Sequence, residues 1–189
     1  MPLEKPSSHQ GLSYTDNISI AWTPVQEQLD QEHLARVNAS NEGFLRDVSV
    51  IETGVISGDP VDPASAMVTE LGRLDLKLNL IMNLVSSLIY HQMEIPDTSR
   101  VRVSSSGVIW KGQVPAPDQT VFLQLYIQRG LPKPLCCYGK VVSTQAQFEQ
   151  GKAKVRFIGL TGAAQAWLEK LIFRHHRREI AYQRASSPS

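Results

Sequence analysis

A heptad repeat of apolar residues between positions 67 and 92 is the feature that most constrains how this chain can fold. Spacings of four and three residues alternate along it, and they mark Met67, Leu71, Leu74, Leu78, Ile81, Val85 and Leu88. An average spacing of about 3.5 residues keeps one apolar stripe of a helix, here called the seam, turned toward a partner helix. The seam predicts a coiled coil, and a central core helix of a monomer is the alternative that periodicity leaves open.

The seam also bears on how many helices assemble. No Asn or Lys interrupts it, so nothing restricts the coil to two strands. Further apolar side chains lie off the seam, and they are Val68, Leu76, Leu80, Met82, Leu84 and Ile89. A two-stranded coil would leave many of these in water, whereas a helix that is apolar over most of its circumference is usually buried. We therefore predict self-association of more than two copies.

Composition places the chain among ordinary globular proteins and offers no overall charge for a polyanionic partner. The 189 residues are 42% hydrophobic and 20% charged, and 19 basic residues face 18 acidic ones for a net charge of +1. The longest uncharged run, 78–90, is shorter than the roughly 20 residues that span a bilayer. No apolar core typical of a secretory signal opens the sequence. We expect no membrane span and a cytoplasmic protein.

A second periodic segment, 26–55, precedes the seam and reads as another long helix. Gly58, Pro60 and Pro63 end it within 57–63, and Asp62 is a candidate cap for the helix that follows. So short a connection predicts an antiparallel helical hairpin over 26–95. Asn41 lies in the apolar stripe of the first helix, where it either pairs with a copy of itself or another polar group, or leans outward at the helix edge.

After Pro96 the period of the apolar residues changes from that of a helix to that of a strand. Five short strands between residues 100 and 157, the fourth running from 135 to 144, predict a small antiparallel barrel or sandwich. A strand within 13–25 could join as a sixth. Thr161 is a plausible cap for a helix that extends to about residue 183 and covers the barrel. Residues 1–12 and 185–189 are predicted to be disordered. The fold class is therefore α+β.

The order of barrel and terminal helix over residues 96–184 resembles the PilZ domain, a bacterial module known for binding cyclic di-GMP. Two segments carry the likeness: residues 102–107, Arg-Val-Ser-Ser-Ser-Gly, stand where the family shows Asp/Asn-x-Ser-x-x-Gly, and 155–160 form the ending Val-Arg-Phe-Ile-Gly-Leu. The long helix ahead of Ile95-Pro96 is similar to an atypical PilZ subclass that oligomerises, including as tetramers, through heptad helices. The resemblance implies a tetramer and a role in cyclic-di-GMP-linked control of processes such as motility, pili or virulence.

The family's ligand motif is degenerate in this sequence. In the family, an Arg-x-x-x-Arg segment ahead of the barrel grips the phosphates, while the Asp/Asn and Ser of the second motif bind the base. Here Arg102 replaces the Asp/Asn, and only Ser104 and Gly107 remain. No Arg-x-x-x-Arg segment precedes the barrel, because the heptad helix stands there, and the pair Arg174 and Arg178 follows it. We predict that the chain does not bind cyclic di-GMP, with binding at a rearranged site that uses Arg100, Arg102 and Ser104 as the alternative.

Other chemistry finds little support in the sequence. Cys136 and Cys137 are neighbours in a predicted strand, so their side chains point to opposite faces and neither a mutual disulfide nor a shared metal is expected. No nucleophile with a positioned base and no glycine-rich phosphate loop appears, so we predict no enzyme, no cofactor and no metal. The one dense basic cluster spans 174–178 and could contact RNA, although an exposed helix end explains it as well.

Together these features predict a non-catalytic adaptor that assembles with itself and acts on an unidentified signalling or pilus-related protein. Binding of cyclic di-GMP at a degenerate site and contact with RNA are the two alternative functions.

Overall fold

The computed structural model describes residues 12–26, 30–54, 66–93, 95–128 and 131–185. In chain order the elements are β1 (Ser13–Pro24), α1 (Gln31–Gly54), α2 (Ala66–Gln92), β2 (Thr98–Ser104), β3 (Gly107–Lys111), β4 (Thr120–Tyr126), β5 (Leu135–Val141), α3 (Gln145–Glu149), β6 (Lys152–Ile158) and α4 (Gly162–Ala185). The α+β prediction is confirmed.

The strands form a closed antiparallel barrel in the order β1-β2-β3-β6-β5-β4. The early strand closes it: β1 pairs with β2 from Ser13 to Ser19 and with β4 from Ser19 to Pro24. Ser19 therefore marks the point where one long strand changes partner. Closure leaves no unpaired edge that could recruit another chain. The sequence predicted this strand as a possible sixth member, and its role in closing the barrel required the tertiary structure.

The barrel interior is filled by side chains that alternate along each strand, as the period of two predicts. Among its most deeply buried members are Val101, Val103, Val108, Val121, Leu123, Leu125, Leu135, Val141, Ala153 and Val155. β-branched residues dominate this set because they pack well on a pleated surface. Cys137 points into this core, whereas Cys136 faces the other side and is half-buried, and both thiols are free. The prediction of two strand cysteines on opposite faces is confirmed.

Helix α4 covers the barrel, as predicted. It begins where expected, because the Ala164 amide donates to Thr161 Oγ1 at 3.1 Å and so satisfies one of the free N–H groups of the first turn. Its apolar face, formed by Ala164, Leu168, Leu171 and Ile172, is buried, and the helix contacts β1 and β2. Burial of this face stabilises the helix, which lacks an acidic residue in its first turn.

Helix α1 uses its apolar stripe within the same domain, against α4 and β5. Phe44, Leu45 and Val48 are buried there, and Asn41 is only 2% exposed. The Asn41 amide pairs with one residue of the strand: Nδ2 donates to Cys136 O at 2.6 Å, and Cys136 N donates to Asn41 Oδ1 at 3.1 Å. Of the two alternatives for Asn41, pairing with another polar group is correct, and the outward-leaning one is wrong. Asn41 fixes the position of α1 on β5.

The sequence interpretation extended the fourth predicted strand to residue 144, and this end is wrong because helix α3 follows closely. Strand β5 ends at Val141, and Thr144 and Gln147 form a capping box that begins α3. Gln147 N donates to Thr144 Oγ1 at 3.3 Å, and Thr144 N donates to Gln147 Oε1 at 3.0 Å. The Thr-x-x-Gln spacing was the signal that the strand prediction overlooked.

Helix α2 is a single helix that carries the whole seam and ends just ahead of Pro96. Among the residues that the structure describes, it packs extensively on no other element. The predicted reversal at 57–63 lies outside the described residues. Of the tails predicted at 1–12 and 185–189, residues 1–11 and 186–189 also lie outside them, whereas Ala185 is the last residue of α4. The pairing of α1 with α2 as a hairpin therefore stays a prediction.

Candidate functional site

The remnant of the nucleotide motif lies on the tight hairpin between β2 and β3. Ser104 and Gly107 are directly paired across this hairpin. Ser104 Oγ donates to Gly107 O at 2.9 Å and lies 3.3 Å from Ser106 Oγ. The Ser106 carbonyl in turn accepts from Phe157 N at 2.9 Å. The Ser104 hydroxyl therefore stabilises the turn, and its donor is already used.

Gly107 is required by the packing of the barrel. A Cβ at this position would lie 3.1 Å from the Cα of Arg156 and would collide with the carbonyl oxygen of Val155. The absence of a side chain lets β3 and β6 approach each other. Ser104 and Gly107 thus have structural roles that do not depend on a ligand.

Arg102 lies on the outer face of the barrel, where the family motif would place a carboxylate or amide. Its Nε donates to Ser13 Oγ at 3.0 Å, which holds the exposed side chain across β1. Arg100 is exposed on the same face, two residues earlier in β2. Both cations could meet an anion at this surface, but Arg102 cannot accept the hydrogen bonds that a carboxylate or amide accepts from a base.

A shallow cleft of about 330 Å³ lies beside the hairpin. It is lined by Ser104, Ser106, Gly107, Val108, Ile109, Val142, Lys154, Val155 and Arg156. Lys154 and Arg156 are both exposed on β6 and bring two positive charges to it. The sequence interpretation did not assign these two residues, although the alternation Lys152-x-Lys154-x-Arg156 was a signal that they share the outer face.

A wider cleft of about 510 Å³ lies where α2 leads into the barrel. Trp22 and Trp110 line it, and both indole N–H groups donate to Gln113 O, at 3.3 and 3.1 Å. Their polar atoms are used within the fold, so the half-buried Trp22 offers mainly apolar ring surface to this cleft, whereas Trp110 is only 2% exposed.

The seam of α2 is open to solvent in the single chain. Its described side chains, Leu74, Leu78, Ile81, Val85 and Leu88, are all exposed, Leu78 to 61% and Ile81 to 55%. Met67 and Leu71 lie in α2, but their side chains are outside the described residues. Leucines rarely gather on an exposed surface over so many turns unless that surface is covered by a partner. The structure therefore brings the predicted interface residues onto one accessible helix.

The basic cluster at 174–178 is partly enclosed. Arg174 Nη1 donates to Ser49 O of α1 at 3.0 Å, and the His175 ring stacks on that of Tyr14 at 4.4 Å. Arg177 is exposed, and its guanidinium lies 5.8 Å from the ring centre of Phe173. Because two of its members are committed to packing α4 on α1 and β1, the cluster is a poorer RNA contact than its sequence suggests.

Metal, thiol and membrane chemistry find no support in the described part of the chain. No group of three or more His, Cys, Asp or Glu residues there could hold a metal ion. Burial raises the pKa of both the Cys136 and Cys137 thiols, which disfavours the reactive thiolate. None of the described helices combines the length and apolar character that crossing a bilayer requires.

Comparison with known proteins agrees with the resemblance noted in the sequence. No curated protein matches the chain. Among solved structures, a pathogenic protein from Xanthomonas campestris, described as a tetrameric PilZ domain self-assembled through an unusual helical bundle, aligns with a TM-score of 0.67. The two are 23% identical over 91% of this chain and 92% of that one, which shows a shared fold. A family model described as "atypical PilZ domain, cyclic di-GMP receptor" matches residues 45–185. The chain therefore belongs to the atypical PilZ domain family.

Proposed function

We propose that this chain is a non-catalytic PilZ adaptor that assembles through the seam of α2, most simply as a tetramer, and signals by protein–protein contact without binding cyclic di-GMP itself. The observation that carries the proposal is the exposed apolar seam on a helix that packs extensively on nothing else among the described residues. The structural relative that assembles through a helical bundle supports it.

The energetics of the seam favour assembly. Full burial of a leucine or isoleucine side chain is worth about 1.5–3 kcal/mol. Five or more half-exposed seam residues per chain therefore supply a driving force of the same order as the cost of bringing copies together. Seams without a buried polar residue permit more than two strands, and the off-seam leucines also favour a larger bundle.

The adaptor role rests on what the nucleotide motif lacks. Ser104 is engaged in the hairpin, Gly107 serves barrel packing, and Arg102 replaces the residue that would read the base. The helix ahead of the barrel holds no Arg-x-x-x-Arg pair. Each missing charge-assisted contact is worth about 1.5–3 kcal/mol, so losing both arginines weakens binding by orders of magnitude.

Assembly is tested by replacing Leu78 and Ile81 with Asp in the full chain. Charges in the seam oppose burial, so multi-angle light scattering should report monomers in place of the wild-type oligomer. The control is Val50→Asp, which puts one such charge on an exposed apolar residue of α1. An unchanged mass in the double variant would refute the seam.

Ligand binding is tested by titrating cyclic di-GMP into the wild-type protein in a calorimeter. We expect no saturable heat at micromolar concentrations of the dinucleotide. Saturable micromolar binding would contradict the adaptor-only proposal.

The second candidate function is a cyclic di-GMP receptor that uses a rearranged site. The cleft beside the Ser104 hairpin favours it, because Lys154 and Arg156 could supply some of the charge that the missing arginines would have brought. If binding is observed, it should weaken at least about tenfold in the variant Lys154→Ala, Arg156→Ala, since each cation in contact with a phosphate would contribute about 1.5–3 kcal/mol. The control is Lys152→Ala, on the same strand but outside the cleft.

A further inference from the structure

The cleft of about 510 Å³ lies at one end of the barrel, where Pro96 and Asp97 connect α2 to β2. Trp22 of β1, Ser99 of β2 and Lys111 at the end of β3 line it, and we call it the mouth cleft. Small-molecule sites typically have volumes of about 300–1,000 Å³, and the mouths of β-barrels are among the places where they recur. The mouth cleft has the size and the position of such a site.

Trp22 supplies the mouth cleft with an apolar ring surface. Its side chain is half-buried, and its indole N–H donates to Gln113 O at 3.3 Å. The same oxygen accepts from the Trp110 indole at 3.1 Å, so one carbonyl holds both rings. Because the polar atom of Trp22 is already used, the ring offers an apolar face in a fixed orientation. Such a face favours a planar aromatic ligand, which stacks on it at little cost in conformational freedom.

Ser99 contributes a hydroxyl that the fold leaves unused. Ser99 Oγ is buried and has no hydrogen-bond partner in the part of the chain that the structure describes. Buried polar groups usually have a partner, because an unpaired one loses its bonds to water without replacing them. A hydroxyl both donates and accepts. A ligand in the mouth cleft that carries a hydroxyl or N–H group would supply the missing partner.

Three cations stand side by side next to the mouth cleft. Lys111 is directly opposite Lys152 on β6. The β2–β3 register pairs Val101 with Trp110, and one residue further along it puts Arg100 opposite Lys111. Like charges directly opposite each other on a sheet are destabilising, and within the described residues none of these three cations forms an ion pair. An anion bound beside Lys111 would relieve this repulsion.

We propose that the mouth cleft binds a small aromatic molecule that carries an anionic group. Its ring lies on Trp22, and a hydroxyl or N–H group pairs with Ser99 Oγ. Its anion lies beside Lys111 and Lys152, and an aromatic carboxylate and a nucleoside monophosphate share this chemistry. Asp97, exposed at the rim, offers an acceptor to a further N–H group. The inference goes beyond the proposed function and does not depend on it, since none of the described lining residues belongs to the seam.

The mouth cleft is separate from the cleft beside Ser104. The two share no lining residue among those described, and they lie at opposite ends of β3, since Gly107 lines one and Lys111 the other. Lys154 and Arg156 line the Ser104 cleft alone. These two cations therefore serve as a charge-matched control for the cations of the mouth cleft.

The test uses the full-length protein labelled with fluorotryptophan, whose three tryptophans fluorine NMR can report separately. The main probe is hydroxynaphthoate with its hydroxyl and carboxylate at opposite ends of the ring system. Naphthoate lacks the hydroxyl, hydroxynaphthamide lacks the charge, and adenosine monophosphate carries phosphate in place of carboxylate. Isothermal titration calorimetry measures the dissociation constant of each probe.

We expect hydroxynaphthoate to bind saturably, to shift the fluorine signal of Trp22, and to leave that of Trp167 on α4 unchanged. The neutral amide should bind at least about tenfold more weakly, because it lacks the charge-assisted contact. Whichever of hydroxynaphthoate and adenosine monophosphate binds more tightly identifies the preferred anion, and either order supports the proposal.

Variants of the ring and of the cations locate the site. The double variant Lys111→Gln, Lys152→Gln should weaken hydroxynaphthoate binding at least about tenfold. The control Lys154→Gln, Arg156→Gln removes the same charge farther away, where salt screens it, and should change binding by less than about threefold. Trp22→Leu should weaken binding on the order of tenfold, because the stacking surface is lost.

Ser99→Ala separates a ligand contact from a role in the fold. It should weaken binding of hydroxynaphthoate about three- to tenfold and leave that of naphthoate unchanged, because naphthoate has no group for Ser99 Oγ. The unliganded variant should melt no lower than the wild type, since it loses a hydroxyl that had no partner. This variant keeps the proposal testable if Trp22→Leu does not fold.

Four results would overturn the proposal. The first is no saturable binding of either anionic probe at millimolar concentration, and the second is equal affinity for hydroxynaphthoate and its amide. The third is binding that leaves the Trp22 signal in place, which would put the ligand elsewhere. The fourth is an equal loss in the two double variants, which would reduce the contact to non-specific attraction. A monomeric wild type would refute the proposed assembly and leave all four criteria as they are.

Discussion

Ser104 and Gly107 illustrate how a sequence motif can persist for reasons unrelated to its ligand. Ser104 closes the β2–β3 hairpin through Gly107 O, and Gly107 allows β3 to approach the Val155 carbonyl on β6. Both requirements come from the barrel and hold whether or not a nucleotide binds. Their presence in the sequence therefore carries less information about ligand binding than the loss of the arginines.

The same substitution should have opposite effects at two glycines. Gly107→Ala should lower the free energy of unfolding by about 1–3 kcal/mol, because the new methyl group forces β3 and β6 apart. Gly43→Ala should raise it by about 0.5–1 kcal/mol, because Gly43 lies inside α1 with open space around its Cα. Urea unfolding at one protomer concentration measures both. A Gly107→Ala variant as stable as the wild type would contradict the proposed packing role.

At the scale of elements, α1 and α2 have similar apolar periodicity and different fates. The stripe of α1 is buried on α4 and β5, and two asparagines orient it. Asn38 Nδ2 donates to Gly159 O at 2.7 Å, and Thr161 N donates to Asn38 Oδ1 at 3.1 Å. Asn41 pairs with Cys136. Cys136 lies two residues before Tyr138, whose pairing with Ile158 is the last between β5 and β6. The two amides thus bind backbone groups that the β5–β6 pairing does not reach: those of Cys136 in β5, and Gly159 O and Thr161 N in the segment after β6.

Replacement of Asn41 tests the docking of α1. Asn41→Ala removes both partners of the Cys136 backbone and should lower the free energy of unfolding by about 2–5 kcal/mol, since each buried polar group left unpaired costs about 1–3 kcal/mol. Ser40→Ala, one residue earlier on the exposed side of α1, is the control and should change it by less than about 0.5 kcal/mol. If both variants unfold alike in urea, the Asn41 pair does not hold α1 in place.

Helix α2 exposes more apolar surface than its heptad describes. The seam accounts for one side of the helix, and Leu76, Leu80 and Leu84 are exposed on another. Off-seam leucines were read in the sequence only as a sign of a larger bundle. The exposure of each side chain shows that they form apolar surface beyond the seam.

At the scale of the whole molecule, assembly should be visible in the thermal stability. Association through the seam buries surface that the single chain exposes, so the melting temperature should rise with protomer concentration. Differential scanning calorimetry over a hundredfold range of concentration measures the effect. The Leu78→Asp, Ile81→Asp variant should melt at one temperature throughout that range. A wild-type melting temperature that does not change with concentration would argue against folding coupled to assembly.

Much of this protein could be read from its sequence because local patterns encode it. Periods of 3.5 and 2 distinguished the seam helix from the strands, Thr161 marked the start of α4, and Pro96 marked the passage from helix to barrel. Each of these depends on residues close together in the chain, where spacing alone specifies which side chains share a face. The departure of Arg102 from the family motif was likewise visible without a structure.

The tertiary structure decided whatever depends on residues far apart in the chain. Only the closed barrel showed that β1 joins β2 to β4, that Asn41 meets Cys136, and that Lys154 and Arg156 reach the cleft beside Ser104. It also separated two helices of like periodicity, since α1 is buried within its own domain while α2 remains exposed. The physical reason is that periodicity predicts which face of an element is apolar, whereas the partner for that face depends on how the whole chain packs.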